Sequence, residues 1–234
     1  MVVEELIKRD CAQIEINGRC PVCQSELLKI PGFCNCCGQR VVKDKNQRLH
    51  RWDSRYNRPR ILIDMDDCIN SFTDYLLEIY NRRTGAAICR EDIKEWNLHK
   101  YIGDYGMSIF QEAGFFENIP EKNGSIAVLK DLILSRDYDV YVITACGSNQ
   151  ELEEKYRWFS RYLPQFNRNH IIRCKEKELI NGDVLIDDNP DNLRKCAPFM
   201  KTVVYDMPTN RDVEDMVRIY SLKEVVPLLR EWFY

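Results

Sequence analysis

The chain has 234 residues, with 34 Lys and Arg against 37 Asp and Glu, for a formal net charge of −3. So near-neutral a balance provides no general field for nucleic acid or an anionic membrane, and the basic stretch 43–60 reads as a solvated linker. No apolar run approaches the roughly 20 residues of a membrane-spanning helix, and the charged first ten residues do not resemble a secretory signal, so a soluble, cytoplasmic protein is expected.

In chain order, the first feature is a cluster of cysteines. Cys20-Pro-Val-Cys23 and Cys34-Asn-Cys36-Cys37-Gly38 form two Cys-x-x-Cys pairs separated by ten residues, the spacing with which two tight turns present four thiolates to zinc. Cys20, Cys23, Cys34 and Cys37 are the expected ligands by symmetry of spacing, with Cys36 as the competing donor. The stretch resembles a zinc ribbon, with residues 26–33 as a hairpin between the knuckles. Four thiolates leave no open coordination position, so the Zn2+ would be structural, supporting a module too small to build a sufficient core. Its partner is open: nucleic acid, protein or the neighbouring domain. The six other cysteines are scattered singly and read as buried thiols.

Residues 46–58 are dense in charged and amide side chains and form the expected linker, dividing a module at 1–45 from a main domain at 59–234. In the main domain, short β-branched runs at 60–64, 140–144, 170–173, 184–187 and 202–205 alternate with helical patterns at 125–135, 149–162, 189–196 and 221–233. This alternation predicts an α/β, three-layered, Rossmann-like parallel sheet, whose ligands sit at the carboxyl ends of the strands. The interval from about 71 to 120 is helical in outline and rich in aromatic residues, which predicts a helical cap inserted after the first strand.

Two of these strands end in acids. Arg60-Ile-Leu-Ile-Asp64-Met-Asp66-Asp67 and Val184-Leu-Ile-Asp187-Asp188-Asn189 would bring several carboxylates to one sheet edge. Such groups repel one another, so the arrangement suits a site where a cation or a proton transfer requires them.

Asp64-Met-Asp66, Thr144 closing its strand, Lys177, and Asp187-Asp188 occur in the order of the four motifs of the haloacid dehalogenase superfamily, which residues 59–234 resemble. Phe72, eight residues beyond Asp64, and the run Asp187-Asp188-Asn189-Pro190-Asp191 resemble its 5′(3′)-deoxyribonucleotidase branch. The resemblance implies an Mg2+-dependent phosphomonoester hydrolase that proceeds through an aspartyl-phosphate. Asp64 would be the nucleophile and Asp66 the general acid and base, while Thr144 and Lys177 would stabilise the phosphoryl group. The magnesium would be held by Asp64, the Asp66 carbonyl and Asp187, with Asp188 in a water-mediated contact and Asp191 orienting the site. Lys175 competes with Lys177, which is favoured because it stands ten residues before Asp187. Phe72, Trp96 and Phe116 are the candidates to stack a nucleobase.

Three positions depart from the branch. Asp67 stands where Gly is usual, Cys68 where a small β-branched residue is common, and Ala145 where a second hydroxyl is common. Three functions are therefore carried forward: a nucleotidase for (deoxy)nucleoside monophosphates, a phosphatase of another small phosphomonoester such as a sugar phosphate, and a zinc-ribbon binding protein with a vestigial phosphatase domain.

Overall fold

The computed structural model describes residues 58–233 together with three short strands near the start of the chain. The chain divides into two compact units, Met1–Asn57 and Arg58–Tyr234. In the first, β1 (Gln13–Ile14), β2 (Gly32–Phe33) and β3 (Arg40–Val42) form a sheet in the order β1-β3-β2, with β1 parallel and β2 antiparallel to β3. Cys20, Cys23, Cys34, Cys36 and Cys37 lie outside the described residues, as does nearly all of the expected linker.

The second unit is built on a six-stranded, wholly parallel sheet. Its strands are β4 (Arg60–Asp64), β5 (Asp139–Thr144), β6 (Ile171–Arg173), β7 (Val184–Asp187), β8 (Lys201–Tyr205) and β9 (Val217–Ile219), in the order β6-β5-β4-β7-β8-β9. Five of these were expected within a residue at each end. The sixth, β9, has only three residues interrupted by Arg218 and carries no periodic signal of its own. The register aligns Ile61 with Val140 on one side and Val184 on the other, so the tips of β4, β5 and β7 end nearly level. Strand order reverses between β4 and β7, and the crevice beyond the carboxyl ends at such a point is where open α/β sheets bind ligands.

Side chains alternate between two buried faces, which explains why the strands read as continuous apolar runs. Ile61, Ile63, Val140, Val142, Val184, Ile186 and Val203 point into the larger core, shared with Leu129 of α3 (Ser125–Ser135), Trp158 and Phe159 of α4 (Asn149–Tyr162) and Leu229 of α6 (Val225–Phe233). Leu62, Ile143, Leu185 and Val204 point the other way, against Leu193 and Cys196 of α5 (Pro190–Cys196). The pattern expected at 221–233 resolves into a single 3-10 turn, Leu222–Glu224, followed by α6.

Between β4 and α3 the chain forms a helical insert containing α1 (Phe72–Thr84) and α2 (His99–Ile109). It has its own apolar core of Leu76, Leu77, Ile79, Ile93, Ile102, Ile109, Phe115, Phe116 and Ile119. Among the described residues, no helix is long and apolar enough to cross a membrane.

Candidate active site

A buried lysine holds the two acidic strand tips together. Lys177 Nζ donates to Asp64 Oδ1, at the end of β4, and to Asp187 Oδ2, at the end of β7, over 2.7 Å in the second case. Burial alone would lower the Lys177 ammonium, but the carboxylates of Asp64 and Asp187 hold it above its ordinary value. Of the two competing lysines it is Lys177 that bridges the carboxylates, while Lys175 lines the cavity beside them.

Asp187 has both oxygens occupied within the fold. Oδ1 accepts from Asn189 N at 2.8 Å, and Oδ2 accepts from Asn192 Nδ2 at 3.0 Å as well as from Lys177. The buried carboxylate of Asp188 accepts no hydrogen bond among the described residues and converges instead on Asp64 and Cys68; ligand atoms of the three all lie within 4.8 Å of one another. Burial first, then the repulsion of Asp187, Asp64 and Asp67, pushes Asp188 well above the usual carboxylate range. Burial likewise raises Asp64 from 3.8 to about 7, against the attraction of Lys177 and with the repulsion of Asp187 and Asp66. Cys68 feels the same surroundings: burial, then Asp188, Asp64 and Asp187, raise its thiol well above its ordinary value. Acids whose carboxyls are raised first by burial and then by one another's charge suit a place for a cation.

Asp66 points to the other side of this cluster. Its Oδ2 accepts from Lys155 Nζ at 2.6 Å and its Oδ1 from Asn70 Nδ2 at 2.9 Å. Lys155, wholly buried, also donates to Thr144 Oγ1 at 2.8 Å and to Ala145 O at 3.3 Å, pairs with Glu151 at 3.0 Å, and lies 4.8 Å above the Phe116 ring. Burial would lower it, but Asp66, Cys146 and Glu151 hold the ammonium charged. Lys155 was not among the expected site residues. Its signal was present, since a lysine on the same stripe of α4 as Glu151, Trp158 and Phe159 breaks the apolar face of an otherwise amphipathic helix.

The other departures resolve as follows. Asp67 adopts the left-handed backbone, φ 56°, and turns its carboxylate away from the acidic cluster. Thr73 donates to it twice, from N to Oδ1 at 3.1 Å and from Oγ1 to Oδ2 at 2.5 Å, so Asp67 caps α1, whose own N-cap Ser71 makes no side-chain capping bond. Lys122 Nζ donates to the Asp67 carbonyl, and Arg90 stands 3.8 Å from the Asp67 carboxylate, so the turn after the acids is tied to the insert. Asp191 does not orient the site: its side chain is 80% exposed and faces Arg194.

Over the acids opens a cavity of about 390 Å3, within the ordinary size range of ligand sites. Asp64, Asp66, Lys177, Asp187 and Asp188 form its floor, and Phe72, Ile93, Trp96 and Leu98 of the insert form an apolar wall. Phe72 and Trp96, two of the three expected aromatic residues, line this cavity. Phe116 does not: its ring packs 5.2 Å from Phe115 and 6.0 Å from Phe72 inside the insert core, because Glu154 fixes its backbone amide at 3.0 Å and Lys155 covers its face.

A parallel sheet of this order, with carboxylates at its switch point, defines a haloacid dehalogenase-like hydrolase fold. A haloacid dehalogenase family hydrolase from Deinococcus radiodurans R1 superposes with a TM-score of 0.52 at 12% identity, covering 77% of this chain and 97% of that one. Residues 58–231 match the family model "5' nucleotidase, deoxy (Pyrimidine), cytosolic type C protein", and the chain belongs to that family, within the phosphoric monoester hydrolases. It is similar to the 5'(3')-deoxyribonucleotidases of Bacillus subtilis (strain 168) and of Bacillus phage SPbeta, each 27% identical over 168 residues that cover 70% of this chain and 95% of the relative.

The elevated Asp64 carboxyl fixes the sign of a pH effect. Without a divalent cation the folded state retains the Asp64 proton from about 3.8 up to about 7 while the unfolded chain has released it, so this group erodes stability as pH rises through that window. In denaturant unfolding of the metal-free protein, the stability of Asp64→Asn relative to wild type should therefore rise between about pH 4 and about pH 7 and level off above. Identical pH responses in the two proteins would contradict the buried, proton-retaining Asp64.

Proposed function

We propose that this protein is an Mg2+-dependent nucleotidase that hydrolyses (deoxy)nucleoside monophosphates through an aspartyl-phosphate on Asp64. The single observation that carries the reading is the convergence of Asp64, Asp66, Lys177 and Asp188 on one cavity that also has an aromatic wall. The relatives named as 5'(3')-deoxyribonucleotidases, and the phosphate and sodium bound to the Deinococcus hydrolase, support it.

The donor set suits a hard divalent cation. Asp64 and Asp188 supply carboxylate oxygens with room between them, and the Asp66 backbone carbonyl follows two residues beyond Asp64. In this reading Asp188, which converges with Asp64, would be the nearer carboxylate to the cation, and Asp187, hydrogen-bonded to Lys177, would hold that lysine in place. When bound, Mg2+ would offset the charge of the nucleophile and of the phosphoryl oxygens.

In the first half-reaction an oxygen of Asp64 bonds to phosphorus as the ester oxygen departs, and Asp66 gives that oxygen its proton. In the second, the Asp66 carboxylate takes a proton from water, whose oxygen bonds to phosphorus and releases the Asp64 carboxylate. The Thr144 hydroxyl would bind a phosphoryl oxygen, the buried Lys155 ammonium holds that hydroxyl and the Asp66 carboxylate in place, and Lys177 draws Asp64 toward its ionised form and aims it. The helical insert acts as a cap, with Phe72 and Trp96 offering rings to the base; an exposed indole is otherwise a poor use of apolar surface.

Phosphate release from a panel of monophosphates tests the reading. Deoxynucleoside monophosphates should be preferred, turnover should require Mg2+, and Asp64→Asn should fall to background. Lys155→Met should lower kcat/KM by roughly 10²–10³ through loss of the ammonium that positions Asp66 and Thr144. A preference for sugar phosphates would move the substrate to the second class, and turnover by Asp64→Asn would remove the covalent step.

The four-thiolate zinc ribbon of Cys20, Cys23, Cys34 and Cys37 is proposed on cysteine spacing alone. Zinc content of the purified full-length chain tests it: one tightly held ion per chain is expected, lost in Cys34→Ser, and a zinc-free chain would end the proposal.

A further inference from the structure

Cys68 is a thiol at a cation site otherwise made of hard oxygens. The turn that follows β4 curls back on itself, with Ile69 N donating to Met65 O at 2.9 Å, Asn70 N donating to the same oxygen at 3.1 Å, and Asp67 in the left-handed region. This curl returns the side chain of Cys68 to Asp64, four residues earlier, and to Asp188, across the switch point. The thiol is fully buried and free, and the Asp188 carboxylate beside it is buried without a hydrogen-bond partner among the described residues. That carboxylate borders the cavity, where a ligand can complete it.

The distances bear on what that something is. Around a tetrahedral ion with metal–sulfur bonds of about 2.3 Å and metal–oxygen bonds of about 2.1 Å, neighbouring donors stand about 3.5 Å apart. Donor atoms of Asp64, Cys68 and Asp188 lie within 4.8 Å of one another, so side-chain shifts of about an ångström close the set. Magnesium takes oxygen ligands and would leave the sulfur aside, whereas cobalt, zinc and cadmium accept thiolate.

Resting on the reading of this cavity as a phosphatase cation site, we propose that Cys68 makes it a mixed oxygen and sulfur site, which binds thiophilic divalent cations through a direct sulfur–metal bond. The metal–sulfur bond forms as the S–H bond breaks, and the proton leaves to solvent; no electron is transferred. Mg2+ occupies the same place through Asp64, the Asp66 carbonyl and Asp188 without using Cys68.

The test uses the full-length chain in wild-type, Cys68→Ser, Cys68→Ala and Asp188→Asn forms, first saturated with Zn2+ and then dialysed against Co2+ or Mg2+. Each variant carries the same other ten cysteines, so the near-ultraviolet thiolate-to-cobalt band is read as the difference from wild type. Wild type should show a band that both Cys68 variants lack. Their Co2+ affinity, from the shift of the thermal midpoint with ion concentration, should fall by at least about tenfold while their Mg2+ shift stays unchanged. Asp188→Asn should weaken both ions.

Mg2+ binding that depends on Asp188, together with a cobalt band and affinity equal in wild type and both Cys68 variants, would overturn the inference and leave the phosphatase reading standing. A wild type whose midpoint responds to neither ion would overturn that reading, and the inference with it. Should one Cys68 variant fail to melt cooperatively, the other decides.

Discussion

The mutual repulsion of carboxylates gathered at one sheet edge is the constraint that the rest of this structure answers. Asp64, Asp66, Asp187 and Asp188 sit at or just beyond the tips of two adjacent strands, and two ammonium groups, Lys177 and Lys155, stand among them. When all four acids are ionised, two negative charges are left over in a buried place. A divalent cation would balance them, and burial together with mutual repulsion raises the Asp64 and Asp188 carboxyls. The same imbalance would make the site receptive to a metal ion.

The fold solves the placement problem with rigid parts. Strand register sets the spacing of β4 and β7, and both faces of the sheet are sealed by apolar side chains, so the tips have little freedom. Lys155 and Lys177 approach from opposite flanks of β4, one from the middle of α4 and one from the 3-10 turn Lys177–Leu179 before β7. The insert is joined to this frame by buried polar contacts as well as by packing. Glu154 of α4 accepts from the amides of Gly114 and Phe116, Trp158 Nε1 donates to Ile119 O at 2.6 Å, and Asp67 caps α1 from the turn that carries the acids. The apolar wall therefore has defined positions relative to the acids, as a site that reads both a phosphate and what it is attached to requires.

Much of this was legible because the chemistry is local in the sequence. Apolar runs that end in acids mark a buried strand and its functional tip at once, so β4, β7, Asp64 and Asp187 were found together. Lys177 was separable from Lys175 only by its spacing from Asp187, and the structure gives the physical reason: its turn points it inward, to within 2.7 Å of that carboxylate. What escaped notice depended on tertiary placement. Lys155 stands among glutamates on a charged helix and becomes a site residue only because that helix face packs behind β5. Asp67 read as a departure from the usual Gly in the turn after the acids, and a left-handed backbone turns it to the helix end. The relative roles of Asp187 and Asp188 could not be ordered by adjacency in the chain, since they diverge at the strand end, one toward Lys177 and one toward Cys68. Phe116, aromatic among aromatics, could be assigned to core or cavity only once Lys155 was known to lie over its ring.

The central claim is that the acids of two strand tips share one divalent ion beside a phosphate-sized hollow in which Asp64 is the nucleophile. A crystal structure of the Mg2+ complex with beryllofluoride, an inert mimic of the phosphoryl group on an aspartate, tests it most directly. The account predicts beryllium bonded to an Asp64 oxygen, fluorides within hydrogen-bond reach of Thr144 and Lys177, and the ion held between Asp64 and Asp188. Beryllofluoride bonded to another acid, or an ion that bridges neither strand tip, would contradict it.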